Sequence, residues 1–187
     1  MLDILQIIFW SITYILIICV HFLEGKNKKS AIPLIACILN FGWEITSFIK
    51  YPNNVGNVIW LSLDILIFIY CIYTIDVTNK IFYLFILTLL VITLLFIFNL
   101  DNGTLISCFV IDLLMAIIFV VDFDLLSNKF KPFIAITKLF GDLFAFQYYK
   151  YNEIVMIIGL IVLCINLYYL YKCTSTYNEN YINLLKS

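Results

Sequence analysis

Long apolar runs broken by short polar segments fill this chain almost from end to end. A membrane-crossing helix needs about 20 mostly apolar residues, within a range of about 17–25. Seven runs approach that length: Ile4–Leu23, Ala31–Ile49, Val58–Tyr73, Ile81–Asn99, Leu105–Val121, Pro132–Tyr149 and Ile154–Tyr171. Gly25 and Asn27 follow the first run, Pro52-Asn53-Asn54 the second, and Asp101-Asn102-Gly103 the fourth. These are residues that end helices and make turns. Strict apolar/polar alternation is absent within the runs, which favours helices over a barrel. The pattern predicts an all-α fold, a seven-helix transmembrane bundle of up-down order over residues 1–173. A polar tail, 174–187, is expected at the inner surface or without fixed structure.

Composition agrees. The chain is 64% hydrophobic and 12% charged, with a mean hydropathy of +1.06. Soluble domains are about 45–50% apolar and about 25% charged. An integral, multi-pass membrane protein in contact with the lipid bilayer is expected, in the plasma membrane if the source is bacterial. The connections are too short for a second domain. The first run lacks a basic leader and a small-residue cleavage site, so it is expected to be retained. The formal net charge of −1 argues against a nucleic-acid partner, which needs a basic face.

Lysine asymmetry sets an expected orientation. With the N-terminus outside, the inner side holds Lys26, Lys28, Lys29, Lys80, Lys129, Lys131, Lys172 and Lys186, eight in all. The outer side holds two, Lys50 and Lys150, and Lys138 lies within a span. N-terminus outside and C-terminus inside is the prediction. The six cysteines show no metal-ligand spacing and read as small apolar residues. His21 is the single histidine, too few for a metal site, and every basic residue is lysine.

The candidate chemistry lies in the polar residues inside the runs. The segment Ile38–Glu44 reads ILNFGWE, with a carboxyl group in an otherwise membrane-like stretch. A charge at that depth costs about 2.5–3.5 kcal/mol on insertion scales, and chains that keep one generally use it. Glu44, Asp64, Asp112 and Asp142 come from four different runs. At a rise of 1.5 Å per residue all four sit roughly 8–10 Å from the outer end. One shared polar chamber is the simplest expectation. Carboxyl groups confined together in a low dielectric cannot all stay ionised, and a carboxylic acid in a dry pocket suits acid-initiated chemistry. Asn40 and Glu44, Trp60 and Asp64, and Lys138 and Asp142 are each four apart on one helical face. Lys138–Asp142 is expected to be a structural ion pair. Trp43 and Trp60 flank the acids, where tryptophan also serves as an interfacial anchor. Asn166 and Tyr169 share the last run, where asparagine is often interhelical glue.

These residues resemble a known family. Asn40-Phe41-Gly42-Trp43-Glu44 resembles the N-x-x-W-E motif of the transmembrane terpene cyclases, small seven-helix enzymes of fungal meroterpenoid and indole-diterpene pathways with bacterial relatives. Trp60-Leu61-Ser62-Leu63-Asp64 is similar to the W-x-x-x-D of the following helix. Thr137-Lys138-Leu139-Phe140-Gly141 is similar to a K-x-x-G segment in the sixth. The resemblance implies an isomerase- or lyase-type cyclase in which Glu44 takes part in the starting protonation. Asp64 or Asp112 is the candidate for a second catalytic carboxyl, unless the substrate needs only one, and Asn40, Trp43, Trp60, Asn166 and Tyr169 are the candidate substrate-binding residues. The substrate would be a linear prenyl or epoxy-prenyl chain. Because the start is proton addition, no metal or other cofactor is expected. This chain departs from the family at Asn166, where a second acid would stand. Two rival expectations are a small proton-coupled carrier and a non-catalytic membrane scaffold.

Overall fold

The computed structural model describes residues 1–24, 30–74 and 103–186, without the side chains of 72, 74, 103–104 and 177–186. The predicted span Ile81–Asn99 and the lysines at 26, 28, 29 and 80 lie outside the described residues. Six α-helices are present among the described residues, with no strand: α1 Leu2–Glu24, α2 Leu34–Lys50, α3 Val55–Thr74, α4 Gly103–Val121, α5 Lys131–Tyr149 and α6 Glu153–Lys186. A short 3-10 turn, Phe123–Leu125, lies between α4 and α5.

Two boundaries differ from the apolar pattern, each for a local reason. The second helix starts at Leu34 rather than Ala31, because Pro33 sits in an extended conformation (φ −59°, ψ 139°) and disfavours helix at the residue before it. The last helix does not stop at Tyr171. It runs to Lys186, since no proline or glycine interrupts the chain between 160 and 186. The hydroxyls of Thr174 and Thr176 donate to the carbonyls of Leu170 and Lys172, four residues back. The tail is therefore a continuation of α6.

The principal packing pairs are α1–α5, α5–α6, α6–α4, α4–α2, α2–α3 and α3–α1. They close into a ring in which α2–α3 and α5–α6 are side-by-side hairpins, while α1 and α2, antiparallel to each other, meet chiefly through Tyr14 against Asn40 and Glu44. The α1–α5 contact is antiparallel: Phe9 meets Phe140 and Phe144 at 5.3 and 5.5 Å, and Thr13 donates to the Thr137 hydroxyl at 2.8 Å. The α4–α6 contact is parallel, as shown by Phe109 beside Gly159 and Phe119 beside Tyr169. One end of the ring is knitted by the Ser127 hydroxyl donating to Glu24 at 2.6 Å and the Ser127 amide donating to the Ser30 carbonyl at 2.8 Å. Lys129 pairs with Glu24 at 3.7 Å at the same end.

The bundle places polar groups inside and apolar ones outside. Asn40, Glu44, Asp64, Lys138, Asp142 and Asn166 are buried, whereas Ile8, Ile15, Leu66, Ile69, Phe133 and Ile157 are exposed. Among the described residues two helical stretches, Leu2–Glu24 and Glu153–Thr176, are long and apolar enough to cross a membrane, with mean hydropathy 2.1 and 2.4. Shorter apolar stretches occupy Val55–Cys71 of α3 and Leu105–Val121 of α4.

Gly141 sets the approach of α1 to α5. A Cβ there would lie 2.7 Å from Cδ1 of Trp10, inside contact distance of a rigid ring. Gly141→Ala is expected to destabilise the protein by about 1–3 kcal/mol, the range for overpacking a tight contact. A lowered thermal unfolding midpoint in detergent checks this, and an unchanged midpoint would show that α1 and α5 are not so closely apposed.

Candidate active site

The ring encloses two polar clusters. The first joins α1, α2 and α3. The Asn40 side-chain amide donates to the Tyr14 hydroxyl at 2.7 Å, and that hydroxyl donates to Glu44 Oε1 at 3.2 Å. Glu44 Oε2 is buried without a hydrogen-bond partner among the described residues. Asp64, on the facing side of α3, is close enough for its charge to act on Glu44. It is fully buried. Asn40 is near Asp64, yet neither Asp64 oxygen reaches hydrogen-bond geometry with it or with another described residue. No lysine bonds to either acid in the described residues.

The second cluster joins α4, α5 and α6. Lys138 Nζ donates to Asp112 Oδ1 at 2.9 Å and to Asp142 Oδ2 at 2.7 Å. Asn166 donates its amide to the same Asp142 oxygen. Lys138 Nζ also lies 5.1 Å from the centre of the Trp10 ring, a cation–π distance. One ammonium thus serves two carboxylates from adjacent helices. A buried charge needs such partners to offset the loss of water.

Between the clusters lies a small, partly open cavity of about 70 Å³. Glu44 forms part of its wall from one cluster, and Asp112 and Asp142 from the other. All three tryptophans of the chain, Trp10, Trp43 and Trp60, line it, together with Tyr14, Asn40, Phe109 and Tyr149. The indole N–H of Trp60 is buried without a partner among the described residues.

Of the sequence candidates, Asn40, Trp43, Glu44, Trp60, Asp112 and Asp142 meet at this cavity. Asp64 stands behind Glu44 and does not line it. Lys138 and Asn166 reach it only through the aspartates they hold. Tyr169 is not brought there. It packs edge-on against Phe119 and Phe123 at 5.5 and 5.8 Å, away from the cavity lining. Where the resemblance expects an acid on the last helix, Asn166 instead holds the acid of α5.

Sequence reading missed Trp10, Tyr14, Phe109 and Tyr149. The first two were visible as an i, i+4 aromatic pair on one face of the first run, in register with the polar Thr13 and His21 side. Among the described residues no three His, Cys, Asp or Glu side chains are grouped as a metal site would require. No protein family, curated protein or solved structure matches this chain.

Removing Lys138 leaves two carboxylates buried side by side. Lys138→Met is expected to cost about 3–5 kcal/mol, as for a broken buried ion pair. Adding Asp112→Asn and Asp142→Asn to it is expected to recover much of that loss. Chemical denaturation of the single and triple variants checks the pair of effects; a harmless single substitution would contradict the bridging role.

Proposed function

We propose that the protein is a membrane-embedded terpene cyclase that starts ring closure by protonating a linear prenyl substrate. The observation that carries this reading is Glu44: a buried acid on the cavity wall whose Oε1 accepts from Tyr14 and whose Oε2 is bare. A carboxylic acid that accepts through one oxygen carries its proton on the other. On this reading the transferable proton sits on Oε2 of a residue that lines an aromatic-walled cavity.

The chemistry follows from the geometry. The Oε2–H bond of Glu44 breaks, and its proton passes to an epoxide oxygen or to an alkene carbon. For an epoxide, a carbon–oxygen bond opens, leaving a hydroxyl and a carbocation. The π electrons of successive double bonds then form carbon–carbon bonds. The aromatic faces of Trp10, Trp43 and Tyr149 stabilise the moving positive charge. Loss of a proton from carbon to Asp112 ends the ring closures, and that proton returns to Glu44 before the next turnover. Asp112 Oδ1 is held by Lys138, and Oδ2 is the oxygen left for that role. Asp64 tunes Glu44 or relays its proton. The walls exclude water, which would otherwise capture the cation, and hold the chain in a reactive fold.

The multi-pass reading belongs to the same proposal. Exposed isoleucine, leucine and phenylalanine around a charged interior suit lipid outside and a polar centre within. A proton-coupled carrier remains the second reading, favoured by the line of acids across the bundle, from Asp64 through Glu44 to Asp112 and Asp142.

Glu44→Gln is expected to lower cyclisation of an epoxidised farnesyl or geranylgeranyl substrate by about 100-fold or more, the lower end of what general acid catalysis contributes. Product analysis of membranes containing each form measures it, and undiminished cyclisation removes Glu44 from the mechanism. Orientation has its own check. In a background without other cysteines, Lys50→Cys and Lys150→Cys are expected to react with an impermeant thiol reagent on intact cells, and Lys129→Cys only after permeabilisation. The opposite pattern would invert the protein in the membrane.

A further inference from the structure

The cavity is acidic and aromatic at once. Three carboxyl groups, Glu44, Asp112 and Asp142, form part of its wall, and no lysine does. Among the described residues Lys138 is the single ammonium paired with any of the three. Even with Glu44 protonated, two aspartates face one lysine charge that is shared between them. Six rings complete the lining: Trp10, Tyr14, Trp43, Trp60, Phe109 and Tyr149. One of these, Trp10, already holds a cation at its face, since Lys138 Nζ lies 5.1 Å from its centre. Glu44, only 3% exposed, presents an oxygen with no partner.

We propose that this cavity binds an organic ammonium ion bearing an apolar tail, whose charge displaces the proton of Glu44 so that the carboxylate, beside Asp112, becomes its counter-charge, with the aromatic rings as its walls. A quaternary ammonium is weakly hydrated and offers no N–H, so ring faces and a nearby carboxylate satisfy it. A hard metal cation requires a shell of six or more oxygens, and no group of three suitable acidic or imidazole side chains exists among the described residues. Ile111, Met115 and Ala145 extend the lining with apolar surface for the tail.

The inference deepens the cyclase reading and rests on its view of the cavity as a place that holds positive charge. Once Glu44 has given up its proton, its carboxylate faces a cationic carbon. An ammonium centre has the same charge and shape as that carbon, but it cannot react onward. Binding therefore reports the cavity's preference for positive charge separately from turnover.

The three tryptophans all line the cavity, so their emission reads its occupancy directly. The protein in lipid nanodiscs is titrated with octyltrimethylammonium and, in parallel, with the uncharged isostere in which a quaternary carbon replaces the nitrogen. A saturable emission change is expected, with the ammonium probe binding at least about tenfold more tightly than the isostere. Glu44→Gln is expected to erase most of that preference, and Asp112→Asn supplies the same reading should the first variant fail to fold. Equal responses to the two probes in the wild-type protein, or a response that never saturates, would overturn the proposal. Selective ammonium binding without cyclisation of any prenyl substrate would uphold it and remove the cyclase reading; cyclisation without that selectivity would do the reverse.

Discussion

Charge enclosed by an apolar shell has to be answered by other side chains, and that requirement organises this bundle. Lys138 answers two aspartates at once, tying α4 to α5, while Asn166 adds α6 through the same Asp142 oxygen. Across the ring, Tyr14 and Asn40 tie α1 and α2 to Glu44. In the proposed bilayer setting, the six described helices, which expose isoleucine and phenylalanine outward, have little hydrophobic reason to meet. Their order around the ring is set instead by these inward polar bonds and by close contacts at small residues such as Gly141.

The two clusters differ in a way that assigns them separate work. The cluster around Lys138 is closed: each charge has an opposite charge within hydrogen-bond reach. Such a group holds its shape. The cluster around Glu44 is open, since three carboxyl oxygens on Glu44 and Asp64 have no described partner. An open acid beside a cavity is a reactive group, and a closed triad opposite it is a fixed wall. In the proposed reaction, the first supplies the proton and the second receives it at the end of the chain.

Much of this was readable in the sequence, because apolar length and the helical rise depend only on local residues. The six described helices fall on six of the predicted spans, and counting residues inward from turns pointed to a shared site, where Glu44, Asp112 and Asp142 do line one cavity. Height is not direction, however. Asp64 stands behind Glu44 and off the cavity wall, because residue counts do not say how a helix is rotated about its own axis. Tyr169, three residues beyond Asn166, was grouped with the site on spacing; the extra rise carries it to the Phe119 and Phe123 layer instead. Tyr14 and Asn166 show the converse. Their bonds to Glu44 and Asp142 span 30 and 24 residues of sequence, and only tertiary packing creates such pairs. The helical continuation beyond Tyr171 was obscured by polar composition, which marks where a membrane run ends and not where a helix does.

The central claim is that an enclosed acid converts a prenyl chain rather than moving it. The most direct measurement follows a labelled linear epoxyfarnesyl compound presented to liposomes that contain the protein. The account predicts recovery of a cyclic isomer of unchanged mass. Recovery of the linear compound from the liposome interior, its carbon skeleton intact, would contradict it.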